Sequence, residues 1–99
     1  MNQRLEQLSE AMNTYGPALA LLLSHGYSLT AASDHEDALT TWTAESAQVR
    51  LSATDPLVLL GLAALWGEYG DQWQATGGSA LYDRALDGET LRPDDARAD

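Results

Sequence analysis

The sequence predicts a single small α+β domain, because helix-forming and strand-forming patterns occupy different parts of it. Ala and Leu dominate the apolar residues, which favours helices. Between residues 27 and 53 the pattern changes to alternating side chains with several threonines, which favours strands. We expect a kinked N-terminal helix, a three-stranded antiparallel meander, a buried helix packed on the sheet and a short C-terminal helix. The domain is predicted to cover residues 1–88, followed by a mobile acidic tail over 89–99.

Apolar side chains near the N-terminus recur every three or four residues, as on one face of a helix. This stripe comprises Leu5, Leu8, Met12, Tyr15, Leu19 and Leu22. Gly16 and Pro17 interrupt it, and proline lacks the N–H that a helix interior requires. The sequence therefore predicts two helical pieces, over residues 3–15 and 17–24, that share one face and end at Gly26 as a C-terminal cap.

Three short segments with strand signals follow. Apolar and polar side chains alternate in YSLTA and QVRLSA, and the middle segment LTTWTAE contains three threonines and a tryptophan. In the third segment the apolar set is Val49, Leu51 and Ala53. The acidic turn SDHED and the short turn ESA separate the segments. The alternative is a helix that begins at Ser33, since Ser33 and Glu36 have the spacing of a capping box. The sheet is favoured because threonine is a poor helix former and the middle segment contains Thr40, Thr41 and Thr43.

The most apolar run, TDPLVLLGLAALWGEYGDQW, predicts a helix over residues 55–69. Asp55 is a suitable N-cap, and proline is favoured at the first helical position, here Pro56. Apolar residues cover nearly the whole circumference, so we expect a helix buried on most sides, with Leu60 and Leu62 in the core. Its apolar stretch is about 18 Å long at 1.5 Å per residue. That is too short for a membrane span, which needs about 20 apolar residues.

A shorter helix is predicted over residues 79–87, with Ser79 as its cap and Gly88 after its last turn. Beyond it, the segment ETLRPDDARAD offers little apolar surface to bury and forms the predicted tail.

Fifteen acidic residues oppose five arginines, which gives a net charge of −10 at pH 7. Such a charge repels nucleic-acid phosphates and anionic membranes, and the arginines are dispersed along the chain. Cysteine is absent, which excludes disulfides and thiolate metal sites. The N-terminus has no apolar run directly behind its first residues, which predicts a cytoplasmic location. The expected partner is another protein, in particular a basic one, and the N-terminal stripe also suits a homodimer.

The acidic cluster at residues 33–37 is the strongest candidate for chemistry. It fails as a calcium loop, because Ala38 and Leu39 stand where that loop needs a ligand and a glycine. The two histidines, His25 and His35, do not form a zinc motif. The sequence also has neither a nucleophile elbow nor a phosphate-binding loop. We therefore predict no catalytic residue, no metal ligand and no cofactor.

These observations favour a small acidic, non-enzymatic protein-interaction or regulatory module. One alternative is an immunity-type inhibitor of a basic toxin or nuclease, because charge complementarity would speed its association. Another is a small metal-binding protein or enzyme centred on residues 33–37. The predicted protein-binding residues combine the acidic cluster with a nearby aromatic side chain: Asp34, Glu36, Asp37 and Trp42.

Overall fold

The computed structural model describes residues 5–9, 11–33, 39–75 and 80–97. The chain divides into two compact units, Met1–Ala64 and Leu65–Asp99. The predicted acidic cluster at residues 34–37 and the predicted cap Ser79 lie outside the described residues.

The first unit contains a helix, three strands and the larger part of a second helix: α1 (Tyr15–Ser24), β1 (Ser28–Ser33), β2 (Thr40–Glu45), β3 (Arg50–Ala53) and α2 (Pro56–Tyr69). A 3-10 turn, Met12–Thr14, precedes α1. The second unit holds the end of α2 and then three short helical segments: the 3-10 helix Gly70–Ala75, α3 (Ala80–Leu86) and the 3-10 helix Pro93–Arg97. This mixture of helices and antiparallel sheet confirms the predicted α+β class.

The sheet is an antiparallel meander in the order β1-β2-β3, as predicted. Its register aligns Leu29, Ala44 and Leu51 across the three strands. Neighbouring side chains on a strand point to opposite faces, so this row faces the core while the adjacent row, which includes Thr43, faces away. The helix predicted to begin at Ser33 is not formed in the described part of that segment, because Thr40–Glu45 is the central strand.

The core of the first unit is small and draws on every element of that unit. Among the described residues, its buried side chains are Leu22, Tyr27, Ala44, Leu59 and Ala63. Half-buried side chains from the sheet and both helices pack around them: Leu19, Leu29, Trp42, Val49, Leu51, Ala53 and Leu60. The core therefore lies between the sheet and the helices α1 and α2.

A Schellman motif ends α1 and turns the chain into β1. Gly26 has a φ of +94°, a left-handed conformation that glycine adopts without a steric penalty. The Tyr27 N–H donates to the Leu22 carbonyl at 3.2 Å, and the Gly26 N–H donates to Leu23 at 3.0 Å. In this motif the residue after the glycine contacts the third residue from the helix end. Here those two residues are Tyr27 and Leu22, which are both part of the core.

The N-terminal segment differs from the expectation. Residues 5–9 have no regular secondary structure, and α1 begins only at Tyr15, so a helix over 3–15 is not formed there. Leu5 and Leu8, the first two residues of the stripe, are 94% and 88% exposed, so no described residue buries this end of the stripe. Short helices without such burial are marginal in water. Pro17 lies in the first turn of α1, where the missing N–H has no helical partner to lose.

Helix α2 starts as predicted and packs on the sheet, but its burial is confined to one side. Pro56, Leu59 and Ala63 are buried, whereas Val58 and Leu65 are exposed. The structure therefore differs from the expected burial on most sides. The fully buried residue is Leu59, and both Leu60 and Leu62 are half-buried. The three buried residues of α2 are three and four positions apart, so they lie on one face of the helix. The three-stranded sheet and the neighbouring helix α1 cover only that face.

The contrast between two adjacent leucines tests this core. Leu22 is 1% exposed and Leu23 is 57% exposed, although both belong to the last turns of α1. We expect Leu22→Ala to lower the free energy of unfolding of the first unit by about 2–5 kcal/mol, since it opens a cavity. Leu23→Ala makes the same chemical change at the surface and should cost less than about 1 kcal/mol. Urea unfolding followed by the NMR signals of β2 would report on this unit alone.

Glycine-to-alanine changes at two positions should have opposite signs. Gly26→Ala places a Cβ in the left-handed region and should destabilise the first unit by about 1–2 kcal/mol. Gly61 lies in the middle of α2, and an added Cβ would meet nothing within 4 Å. We therefore expect Gly61→Ala to stabilise by about 0.5–1 kcal/mol. Equal effects of the two changes, measured by the same urea unfolding, would contradict the role assigned to the turn at Gly26.

Candidate protein-interaction surfaces

An apolar groove lies on the first unit, beside α1 and the start of α2. We call it the α1–α2 groove; its volume is about 560 Å³. Nine residues line it: Leu8, Ser9, Asn13, Thr14, Pro17, Ala18, Leu21, Leu57 and Leu60. The α1 wall consists of Pro17, Ala18 and Leu21, of which Ala18 is buried and the other two are exposed. Helix α1 directs Leu22 towards the sheet and Leu21 towards the groove.

The α2 wall of the groove is fixed by a helix cap. Asp55 Oδ1 accepts a hydrogen bond from the Val58 N–H at 2.8 Å, and the Asp55 carbonyl accepts one from the Leu59 N–H at 3.1 Å. Pro56 follows as the first helical residue and is buried. These contacts satisfy the first backbone donors of α2 and hold its first two turns in place. Leu57 and Leu60 lie in those turns and reach the groove.

None of the nine lining residues is charged, although 20% of the residues in the chain are. The Thr14 hydroxyl donates to the Ala11 carbonyl and is already satisfied within the chain. The groove therefore presents mainly carbon to a partner. It provides neither a cation nor a carboxylate with which to orient a charged ligand.

A second surface lies on α3, in the second unit. None of the seven residues of α3 is buried. Tyr82 and Leu86 are 67% and 69% exposed, and their four-residue spacing places them one above the other on the helix. Asp83 and Asp87 are also exposed and form a parallel acidic stripe next to them. We call these four residues the α3 face.

An arginine on the other side of α3 holds the following segment. The Arg84 guanidinium donates hydrogen bonds to both Glu89 and Asp95, the latter at 3.1 Å. The Arg92 N–H also donates to Asp95, at 2.7 Å. We call these contacts of Arg84 with Glu89 and Asp95 the Arg84 clasp. It ties the end of α3 to the 3-10 helix Pro93–Arg97, inside the segment predicted to be a tail. The predicted division at residue 88 stays a prediction.

The clasp shifts the pKa values of its members in the directions expected for ion pairs. The hydrogen bond from Arg84 is the largest cause that lowers the pKa of Glu89 below its ordinary value. The pKa of Asp95 is lowered first by the backbone N–H of Arg92 and then by Arg84. The two carboxylates in turn raise the pKa of Arg84. A lowered carboxyl pKa stabilises the folded state above the ordinary pKa, and this contribution is lost as the pH falls through the lowered value.

The predicted binding residues are only partly within the described chain. Asp34, Glu36 and Asp37 lie outside it, so their grouping stays a prediction. Trp42 lies on β2, is half-buried and packs against the core, so only part of its ring is available to a partner. Within the described residues, no three side chains of the metal-ligating types converge on one point. The alternative of a metal site at residues 33–37 is not tested by this observation.

Sequence reasoning did not identify the α3 face or the Arg84 clasp. The short length of the predicted helix could have indicated an exposed α3, because a helix of seven residues has few side chains that can contact a core. The five-residue spacing of Arg84 and Glu89 brings them together only because Gly88, with a φ of +92°, reverses the chain between them.

Comparison of this chain with protein families, curated proteins and solved structures found no match. Among the helices in the described residues, none has both the length and the apolar character needed to cross a bilayer.

The Arg84 clasp predicts different pKa changes for Glu89 and Asp95 when Arg84 is replaced. In Arg84→Gln, we expect the pKa of Glu89 to return close to its ordinary value, because Arg84 is the main cause of its shift. The pKa of Asp95 should return only in part, because the Arg92 N–H remains. A pH titration of the side-chain carboxyl signals by NMR measures both values. Arg92→Gln removes the same charge but keeps that N–H, and it should leave the pKa of Glu89 low; equal shifts in both variants would contradict the clasp.

Proposed function

We propose that this protein is a small acidic, non-enzymatic interaction module that binds a basic protein through the α3 face. The observation that carries the proposal is the exposure of Tyr82 and Leu86 on a helix without a buried residue. When a partner covers two large apolar side chains, their surface leaves water, and this lowers the free energy of the complex. Tyrosine is also among the residues that most often dominate binding energy at protein interfaces.

The acidic stripe specifies the chemistry of the partner. Asp83 and Asp87 have no arginine within ion-pair distance among the described residues, because Arg84 is engaged by Glu89 and Asp95. A partner arginine could therefore pair with either aspartate and stack on the ring of Tyr82. The surface expected to fit is an apolar patch bordered by arginine or lysine side chains.

The charge of the whole second unit supports the same partner. Its sequence contains eight carboxylate side chains and three arginines, of which Arg84 is held in the clasp. A surplus of one sign attracts oppositely charged proteins over distances of about 10 Å, and salt screens this attraction. An immunity-type inhibitor of a basic toxin or nuclease is one kind of protein that fits this description, and a regulator of a basic enzyme is another.

The test compares proteins captured by the immobilised chain and by matched variants from a lysate of the organism that encodes it. We expect basic proteins that bind at low ionic strength and are released by a salt gradient. Tyr82→Ala/Leu86→Ala should reduce their yield at least about tenfold, because truncation of a central aromatic residue costs about 2 kcal/mol or more. Asp83→Asn/Asp87→Asn should shift their release to lower salt.

The matched control is Glu68→Gln/Asp71→Asn, which removes the same two charges from exposed positions outside the α3 face. It should retain the captured proteins better than the aspartate variant of α3. Circular dichroism of each variant establishes that the chain is still folded. If every captured protein were retained equally by the wild type and both α3 variants, the proposal would be refuted.

A further inference from the structure

We infer that the α1–α2 groove is a surface on which two copies of this chain associate. In this dimer, each copy places Leu5 and Leu8 against the groove of the other. The inference does not depend on the proposed function, because the groove belongs to the first unit and the α3 face to the second.

Two chains that each carry a net charge of −10 repel one another over most of their surface. They approach most easily where the surface carries little charge. None of the groove-lining residues is charged, and Glu6 is the one acidic residue among residues 5–9. A basic partner would find no carboxylate among those residues, whereas a second copy needs none. Among proteins, the groove thus favours a second copy over a basic partner.

A two-fold symmetric interface uses the same patch on both copies, so the patch must contain a projection as well as a recess. The α1–α2 groove supplies the recess. The projection consists of Leu5, outside the lining, and Leu8, an exposed residue of the lining itself, at 94% and 88% exposure. A small apolar molecule in the groove would leave Leu5 in water, because Leu5 is not part of the lining. A second copy covers both leucines.

The spacing of Leu5, Leu8, Met12 and Tyr15 predicts a helix, yet residues 5–9 are not helical in the single chain. A marginal helix forms when its apolar stripe is covered, so association and helix formation should be coupled. The dimer is therefore expected to contain more helix than the monomer does.

The experiment is sedimentation equilibrium of the full chain over a range of concentrations, at low and at high salt. The average mass should rise from the 10.7 kDa of one chain towards twice that value as the concentration increases. High salt should strengthen the association, because it screens the repulsion between two acidic chains. Circular dichroism across the same concentrations should show helix content rising with the dimer fraction.

Two variants with the same added charge locate the interface. Leu8→Glu puts a carboxylate on the projecting segment and should raise the dimer dissociation constant at least about tenfold. Leu23→Glu puts one on an exposed position of α1 outside the groove lining and should have a smaller effect. Tyr82→Ala/Leu86→Ala should leave dimerisation unchanged, which separates this surface from the α3 face.

Several results would overturn the inference. A chain that stays monomeric at every concentration would leave the groove to a small apolar ligand or to a helix of another protein. An association that salt weakens would be held by complementary charges. Because the groove lining has no charged residue, the interface would then lie elsewhere. A dimer that Leu8→Glu leaves intact, in a variant that is folded by circular dichroism, would place the interface elsewhere.

Discussion

The first unit depends on the turn that closes α1. Because Gly26 adopts a left-handed conformation, the chain reverses within three residues, and Tyr27 comes to lie beside Leu22. Strand β1 starts directly after this contact, and the contact places two of the buried core side chains on one side of the sheet. Ala44 is buried opposite them because β2 pairs with β1 in the register that aligns it with Leu29. Leu59 and Ala63 then close the core from α2, whose start is set by the cap at Asp55.

The same motif closes α3 but leads to a different result. Gly88 is left-handed, and the Glu89 N–H donates to the Arg84 carbonyl as the Tyr27 N–H does to Leu22 in α1. In α1 the side-chain pair that accompanies this bond is apolar and buried. In α3 the equivalent pair is Arg84 and Glu89, an ion pair at the surface. An exposed ion pair adds little to stability. Helix α3 therefore ends as sharply as α1 does without contributing a buried residue, and its apolar side chains stay in water.

The parts of the fold that could be predicted are those fixed by local chemistry. Alternation identified the first and third strands, and threonine and tryptophan content identified the middle one. The Asp55–Pro56 pair identified the start of α2. All these signals act within a few residues. The helix expected over residues 3–15 and the deep burial expected for α2 depend on distant neighbours instead. Periodicity gives the direction in which Leu5 and Leu8 would point, but not whether anything lies there to cover them. The candidate surfaces could not be predicted for the same reason, since each includes apolar side chains that the described part of the chain leaves exposed.

The two surfaces also differ in the physical effect that would hold a partner. The groove combines apolar walls with an absence of charge in its lining, so association there is limited by the repulsion between the remaining surfaces. The α3 face combines apolar side chains with aspartates that form no ion pair with a described residue, so association there gains from an opposite charge. Salt weakens the attraction between the α3 face and a basic protein. At the groove, salt instead screens the repulsion between two acidic chains and so favours their association. If both proposals hold, one acidic chain presents one surface to its own copy and another to a basic protein, and ionic strength shifts the balance between the two associations.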